Sequence, residues 1–195
     1  MKVLLVIAHP MDTSLNHLLA AVAEATLRKA GHDVDRLDLN GEHFDPVLSP
    51  EERAAYYGSS GVGDSLHSMQ CRLQHAEALV LVFPTWWFSM PAILKGWFDR
   101  VWFPGIAFDH GTPIKPLLTS LRTCLVVTTL GSPWWVDWLV MWRPVARVLR
   151  RGVLLACAPQ AKFRMLSLHS AETVTANRLR AFEARLKRSL LRLER

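Results

Sequence analysis

Residues Leu79 to Phe103, LVLVFPTWWFSMPAILKGWFDRVWF, restrict the fold more than any other stretch. Leu79 to Phe83 is an unbroken apolar run stopped by Pro84, and from Pro91 onward Ile93, Leu94, Trp97, Phe98, Val101 and Trp102 recur at helical spacing. The first part reads as a buried strand and the second as a helix with Pro at its start. Between them lie Thr85, Trp86, Trp87, Phe88, Ser89 and Met90, with three large aromatics in a connection too short to bury them in a core of its own. A strand that ends in an aromatic loop and feeds a helix forms one wall of a pocket for a flat ligand.

The remaining chain repeats the strand-helix alternation. Lys2 to Ala8 is a continuous apolar strand of the kind covered on both faces of a parallel sheet. A helical pattern follows from Leu15 to Ala30, then a shorter strand from Asp33 to Leu39. From Asn40 the pattern dissolves: Phe44 to Leu48 reads as extended, Ser49-Pro50 opens a short helix through Tyr57, and Gly58 to Gly63 reads as a turn. That glycine cluster follows no strand, which disfavours a phosphate loop. Leu66 to His75 is a modest helix, Leu121 to Thr129 a strand, Gly152 to Cys157 a last short strand, and Ala171 to Arg195 a closing helix. Five apolar strands alternating with helices predict an α/β fold. Its form would be a flavodoxin-like doubly wound five-stranded parallel sheet in the order 2-1-3-4-5, with residues 1–195 as one domain.

Composition narrows the setting. Half of the residues are hydrophobic, but Pro84, Pro91 and Lys95 break the best candidate for the roughly 20-residue apolar run that a membrane span needs. The start, MKVLLVIAHP, has no cleavage pattern, so a cytoplasmic protein is expected. Thirteen Lys/Arg against three Asp/Glu from Arg143 to Arg195 make that part +10, which leaves −4 for residues 1–142 of a chain whose total is +6. The basic tail reads as a solvated helix face or as an attraction for anionic partners; no nucleic-acid motif accompanies it. Cys71, Cys124 and Cys157, odd in number and far apart, read as reduced core thiols rather than as disulfide or metal ligands.

In the order 2-1-3-4-5, ligands bind outside the carboxyl ends of the strands near the switch between the first and third. The loops of unusual composition follow strand 1 (His9 to Asn16), strand 3 (Pro84 to Met90) and strand 4 (Thr128 to Ser132), so all three fall on one edge. The first offers N–H groups and hydroxyls at a helix N-terminus, a phosphate site by geometry and dipole. The second offers aromatic planes, and the third a Thr-Thr pair and a Gly for close approach to a polar ring edge. Phosphate, flat ring and ring edge fit a flavin nucleotide. Each element also has a plainer reading: Thr13 and Ser14 as helix caps, Trp86, Trp87 and Phe88 as core or dimer contacts, His9 as a turn residue.

With these residues in view, the chain resembles the NAD(P)H:quinone oxidoreductase family of flavodoxin-like flavoproteins. The resemblance lies in Ala8-His9-Pro10, Ser14-Leu15-Asn16, Phe44-Asp45-Pro46 and, most specifically, Phe83-Pro84 through Arg100; it covers about residues 1 to 131. It implies a homodimer, a tightly held FAD rather than FMN, and hydride transfer from NAD(P)H through the flavin to a quinone-like acceptor in a ping-pong sequence. By position it implies flavin contacts at His9, Thr13, Ser14, Leu15, Asn16, Pro84, Thr85, Trp86, Trp87, Phe88, Thr128, Thr129, Leu130 and Gly131. Trp87 and Phe88 would also face the reactants, and the backbone at Gly131 would help settle charge on the reduced ring.

Two departures stand out. The family's Thr-Thr-Gly-Gly segment is Thr128-Thr129-Leu130-Gly131 here, and the Tyr and His that follow it in the quinone reductases have no counterpart before His169. In their place runs Trp134 to Leu149, with Trp134, Trp135, Trp138 and Trp142 close together. That stretch reads as core packing, as a lid over the flavin pocket, or as a peripheral membrane-surface face where Trp and Arg sit together. The alternatives to a quinone reductase are an FMN electron carrier and a non-catalytic or weakly catalytic regulatory subunit that docks on a membrane protein through Trp134 to Arg151.

Overall fold

The structure, a computed structural model, describes residues 1–57 and 64–193. The glycine cluster 58–63 lies outside the described residues. Five strands form one parallel sheet: β1 (Lys2–Ile7), β2 (Asp33–Asp38), β3 (Ala78–Pro84), β6 (Thr123–Leu130) and β7 (Lys162–His169). Their order is β2-β1-β3-β6-β7, the expected 2-1-3-4-5 when only these strands are counted. Strands β4 (Phe108–Asp109) and β5 (Lys115–Pro116) pair separately as a short antiparallel ladder. The register aligns Ile7 with Val82 and Val82 with Val127, so the loops leaving β1, β3 and β6 emerge side by side.

Alternation along the strands divides the interior into two layers. Val3, Leu5 and Ile7 pack under α1 (Leu15–Lys29) and α7 (Ala176–Leu190), while Leu4, Val6 and Ala8 face the opposite layer. That second layer holds α3 (Asp64–Gln74), α4 (Ala92–Val101) and the helical stretch from Pro144 to Cys157. Burial on both faces explains why β3 and β6 are continuous apolar runs rather than alternating ones. It also pushes the thiols of Cys124 and Cys157 up to about 12 and about 11, which keeps them protonated.

The fifth strand differs from the sequence expectation. Gly152 to Cys157 is helical, part of a run of α5 (Pro144–Arg147), a π-helical turn (Val148–Leu154) and α6 (Leu155–Cys157). Val145, Leu149, Leu154 and Cys157 recur at roughly helical spacing and all enter the core, so burial favours the helix over a strand there. The strand is instead Lys162–His169, where Phe163 and Met165 face one layer and Leu166 and Leu168 the other. The closing helix starts at Ala176, capped by Thr175, rather than at Ala171. Core packing of the Trp-rich stretch is overturned as well: Trp134, Trp135, Trp138 and Trp142 are all exposed.

The segment Phe44-Asp45-Pro46 is clamped onto α4 by two residues of the motif that begins at Pro91. Arg100 donates to the carboxylate of Glu52 and to the Asp45 carbonyl, and its guanidinium lies 5.4 Å from the Phe44 ring centroid. The Arg100 bond also holds the Glu52 carboxyl below its usual range. Glu52 in turn completes a capping box with Ser49 at the start of α2 (Pro50–Ala55). Gly96 makes room for the clamp: a Cβ there would stand 2.3 Å from the Pro46 carbonyl oxygen and 2.5 Å from its Cα. Helix propensity alone would make Gly96→Ala more stable by about 1 kcal/mol, whereas the collision should make it less stable by roughly 1–3 kcal/mol. Urea unfolding decides the sign, and a higher midpoint at unchanged slope would contradict this packing.

Candidate functional site

The loop after β1 turns at His9 and Pro10 and enters α1 through Ser14. Ser14 is extended, as an N-cap must be, and its hydroxyl accepts the His17 N–H at 3.3 Å. The helix supplies no acceptor to the N–H groups of Leu15 and Asn16, which point out of its first turn. Thr13 is exposed, while Leu15 and Ser14 are half-buried. His17 extends the network: Nδ1 lies 3.1 Å from Ser14 Oγ, and Nε2 lies 2.8 Å from the Asp38 carboxylate at the end of β2. His9 takes the Met11 N–H on Nδ1 at 3.0 Å, and its ring sits 5.9 Å from Trp86. Burial, with His17 nearby, lowers the His9 pKa below its ordinary value, which favours the neutral ring.

The loop after β3 is a tight reversal. Trp86 and Ser89 exchange backbone hydrogen bonds at 3.1 and 2.9 Å, and the two residues between them, Trp87 and Phe88, have φ of 50° and 55°. Two consecutive left-handed residues make a turn that normally takes Asn-Gly. Bulky residues held there carry strain of order 1–3 kcal/mol each. The turn drives the Trp87 ring almost wholly into solvent, 97% exposed, beside a half-exposed Trp86 and a half-buried Phe88. Pro84 is buried at the end of β3 and fixes where the loop begins.

Hydroxyl and amide pairs hold the three loops together. Thr85 Oγ1 lies 2.7 Å from Thr128 Oγ1, and the Thr85 N–H donates to the Thr129 carbonyl at 2.7 Å. Asn16 Nδ2 donates to Thr129 Oγ1 at 3.1 Å, across 113 residues of sequence. Asn16, Thr128 and Thr129 are buried, and their side chains tie the loops to one another. Thr128, expected from the sequence as a flavin contact, is fully covered, with its hydroxyl against Thr85.

The third loop carries residues that sequence reasoning missed. Leu130 is buried and Gly131 exposed; a Cβ on Gly131 would stand 3.1 Å from the Glu172 carboxylate. The Ser170 N–H donates to the Ser132 carbonyl at 3.0 Å, and Ser132 Oγ is buried without a protein partner. That orphaned hydroxyl beside an open glycine fits a polar ring edge. His169, far away in sequence, pairs in register with Leu130, and its Nε2 lies 3.1 Å from the buried carboxylate of Asp137. His169 and Ser170 come from the end of β7, so placing the last strand at Gly152–Cys157 hid them. The period-two pattern of Lys162–His169 was the signal that could have revealed them.

Known proteins share this fold. A family described as a flavodoxin-like fold matches residues 1–152. The rat NAD(P)H dehydrogenase [quinone] 1 is 32% identical over 148 residues, covering 67% of this chain and 54% of its own length. An uncharacterized NAD(P)H oxidoreductase of Escherichia coli K12 is 36% identical over 112 residues, 56% of this chain and 57% of its own. The chain thus spans about half the length of the curated relatives it matches. A solved NAD(P)H:quinone oxidoreductase from Methanothermobacter marburgensis superposes with a TM-score of 0.89 at 25% identity, over 100% of this chain and 98% of that one. An FMN-dependent azoreductase from Bacillus anthracis, solved with FMN, shares the fold at a TM-score of 0.82 and 14% identity, over 100% of each chain. The matched region, more than half of the chain, and the strand order show that the chain belongs to the flavodoxin-like fold family.

Proposed function

We propose that the protein is a flavin-dependent NAD(P)H oxidoreductase that carries hydride from NAD(P)H to a quinone-like acceptor in a ping-pong sequence, with FAD as its flavin, as a homodimer. The observation that carries this reading is the fastening of three loops into one edge site by the Thr85–Thr128 and Asn16–Thr129 pairs. The names of the relatives support the reaction class. The flavin, when bound, supplies hydride acceptance and release. The residues bind and orient: the first turn of α1 with Ser14 and Asn16 suits the phosphates, and Trp86, Trp87 and Phe88 offer flat apolar surface for rings. Gly131 and Ser132 offer backbone and a hydroxyl to a ring edge. The strain in the Trp87–Phe88 turn supports the reading further, since strained backbone concentrates where function holds a side chain against its preference. FMN in place of FAD is the second reading, and the mass of the extracted cofactor separates them.

The direct test is purification followed by cofactor extraction and NADH and NADPH oxidation against a quinone panel. Bound flavin with acceptor-dependent oxidation is expected; protein that neither retains nor rebinds any flavin would overturn the assignment. A second prediction uses the strained turn. Trp87→Asn puts a residue that tolerates the left-handed region where a bulky one pays about 1–2 kcal/mol. Thermal unfolding should therefore show stability raised by about 1 kcal/mol, while quinone turnover falls because the ring that orients the reactants is gone. Undiminished turnover in a flavin-loaded variant would remove Trp87 from the reaction.

A further inference from the structure

We propose that the segment from Trp134 to Leu155 is a docking face for anionic phospholipid surfaces. Its tryptophans do not fold into the core. Trp134, Trp135, Trp138 and Trp142 are between 49% and 65% exposed, and Leu139, Val140 and Leu155 are exposed with them. An apolar patch of this kind rimmed by charge marks an interaction surface.

The charges have one sign. Between Asp137 and Glu172 the sequence contains no carboxylate, and the charges of the segment are Arg143, Arg147, Arg150 and Arg151. Asp137 itself is buried against His169. Val145, Leu149, Leu154 and Cys157 hold the inner side of the helical run against the sheet, which leaves Arg147, Arg150 and Arg151 on the outside. These three arginines and Arg143 share a groove of about 390 Å³ with the rings of Trp138 and Trp142.

The backbone is bent to build that groove. Trp142 and Arg143 have φ of 56° and 50°; with Trp87 and Phe88 they are the only consecutive left-handed non-glycine pairs among the described residues. The bend sets the Arg143 guanidinium 4.4 Å over the Trp138 ring and is closed by a 2.8 Å bond from the Arg143 N–H to the Asp137 carbonyl. Arg143 Nε is buried without a protein acceptor. A guanidinium stacked on one indole, with a second indole beside it and further arginines around the mouth, matches the boundary between lipid phosphates and acyl chains. There Trp places its ring at the apolar level and Arg binds phosphate. A second copy of the chain suits this face poorly, because a two-fold contact centred on it would bring the arginine cluster towards its own image with no carboxylate of the segment exposed to oppose it.

Co-sedimentation tests the proposal with vesicles of phosphatidylcholine alone and with vesicles in which part of it is replaced by phosphatidylglycerol. Neither flavin nor reductant enters the assay, so its outcome is independent of the proposed oxidoreductase activity. Wild-type protein should bind the anionic vesicles, release with added salt, and leave the neutral ones unbound. Each Arg near an anionic surface contributes about five-fold, so the double variant Arg150→Glu/Arg151→Glu should lower partition by roughly thirty-fold or more. Trp142→Ser should lower it roughly ten-fold. All three positions are exposed, and circular dichroism should show an unchanged fold. Wild-type protein that stays in the supernatant with anionic vesicles at low salt would overturn the proposal. So would binding that both variants leave intact, or a Trp142→Ser effect seen only as loss of dimer in sedimentation velocity.

Discussion

A sheet covered on both faces can satisfy its backbone polar groups only along its strands, so polar chemistry is confined to the strand ends. This constraint shapes the rest of the molecule. β1, β3 and β6 are buried along their whole inner length, and their parallel register brings three loops out at one edge. Free N–H groups, aromatic rings and a glycine therefore meet there although they are far apart in sequence. The Asn16–Thr129 and Thr85–Thr128 pairs convert that adjacency into a fixed geometry. In a buried setting such bonds matter chiefly through the cost of leaving a partner unsatisfied, about 1–3 kcal/mol for each group.

Two bends depart from relaxed backbone, and both display tryptophan. At Trp87–Phe88 the turn is held by the Trp86–Ser89 pair and by Pro84 behind it. At Trp142–Arg143 it is held by Asp137, itself anchored to His169 at the end of β7. His169 and Leu130 are register partners, so the second bend is tied to the strand next to the candidate flavin loop. The sheet edge thus supports two surfaces: an aromatic loop at the switch between β1 and β3, and a cationic, tryptophan-rich face beyond β6.

Much of this was readable from residue pattern. The apolar runs marked β1, β3 and β6, and the loops between strand and helix marked the edge where the candidate site lies. The Phe44-Asp45-Pro46 and Gly96 to Arg100 segments were visible as a motif, but their physical meaning was not: they meet because glycine lets Pro46 touch α4. Gly152 to Cys157 looked like a strand because a short apolar run has no period of its own, and only the core contacts of Val145 and Leu149 reveal the helix. The partnership of the Thr128 hydroxyl with Thr85 was equally invisible in the sequence, because it joins residues 43 positions apart. The exposure of four tryptophans could not be read from composition, since hydrophobicity favours burying them and a bent backbone decides otherwise.

The claim on which the account rests is that the hydroxyl-amide ties make one flavin site out of three loops. Thr129→Val keeps the side-chain volume, removes the hydroxyl and leaves the buried Asn16 amide without its 3.1 Å acceptor. The decisive measurement is the flavin dissociation constant of this variant, taken by titration of the apoprotein alongside its urea stability. The account predicts a fold that survives with about 1–3 kcal/mol less stability, and flavin binding weakened at least in proportion. A folded Thr129→Val protein that binds flavin as tightly as the wild type would contradict it.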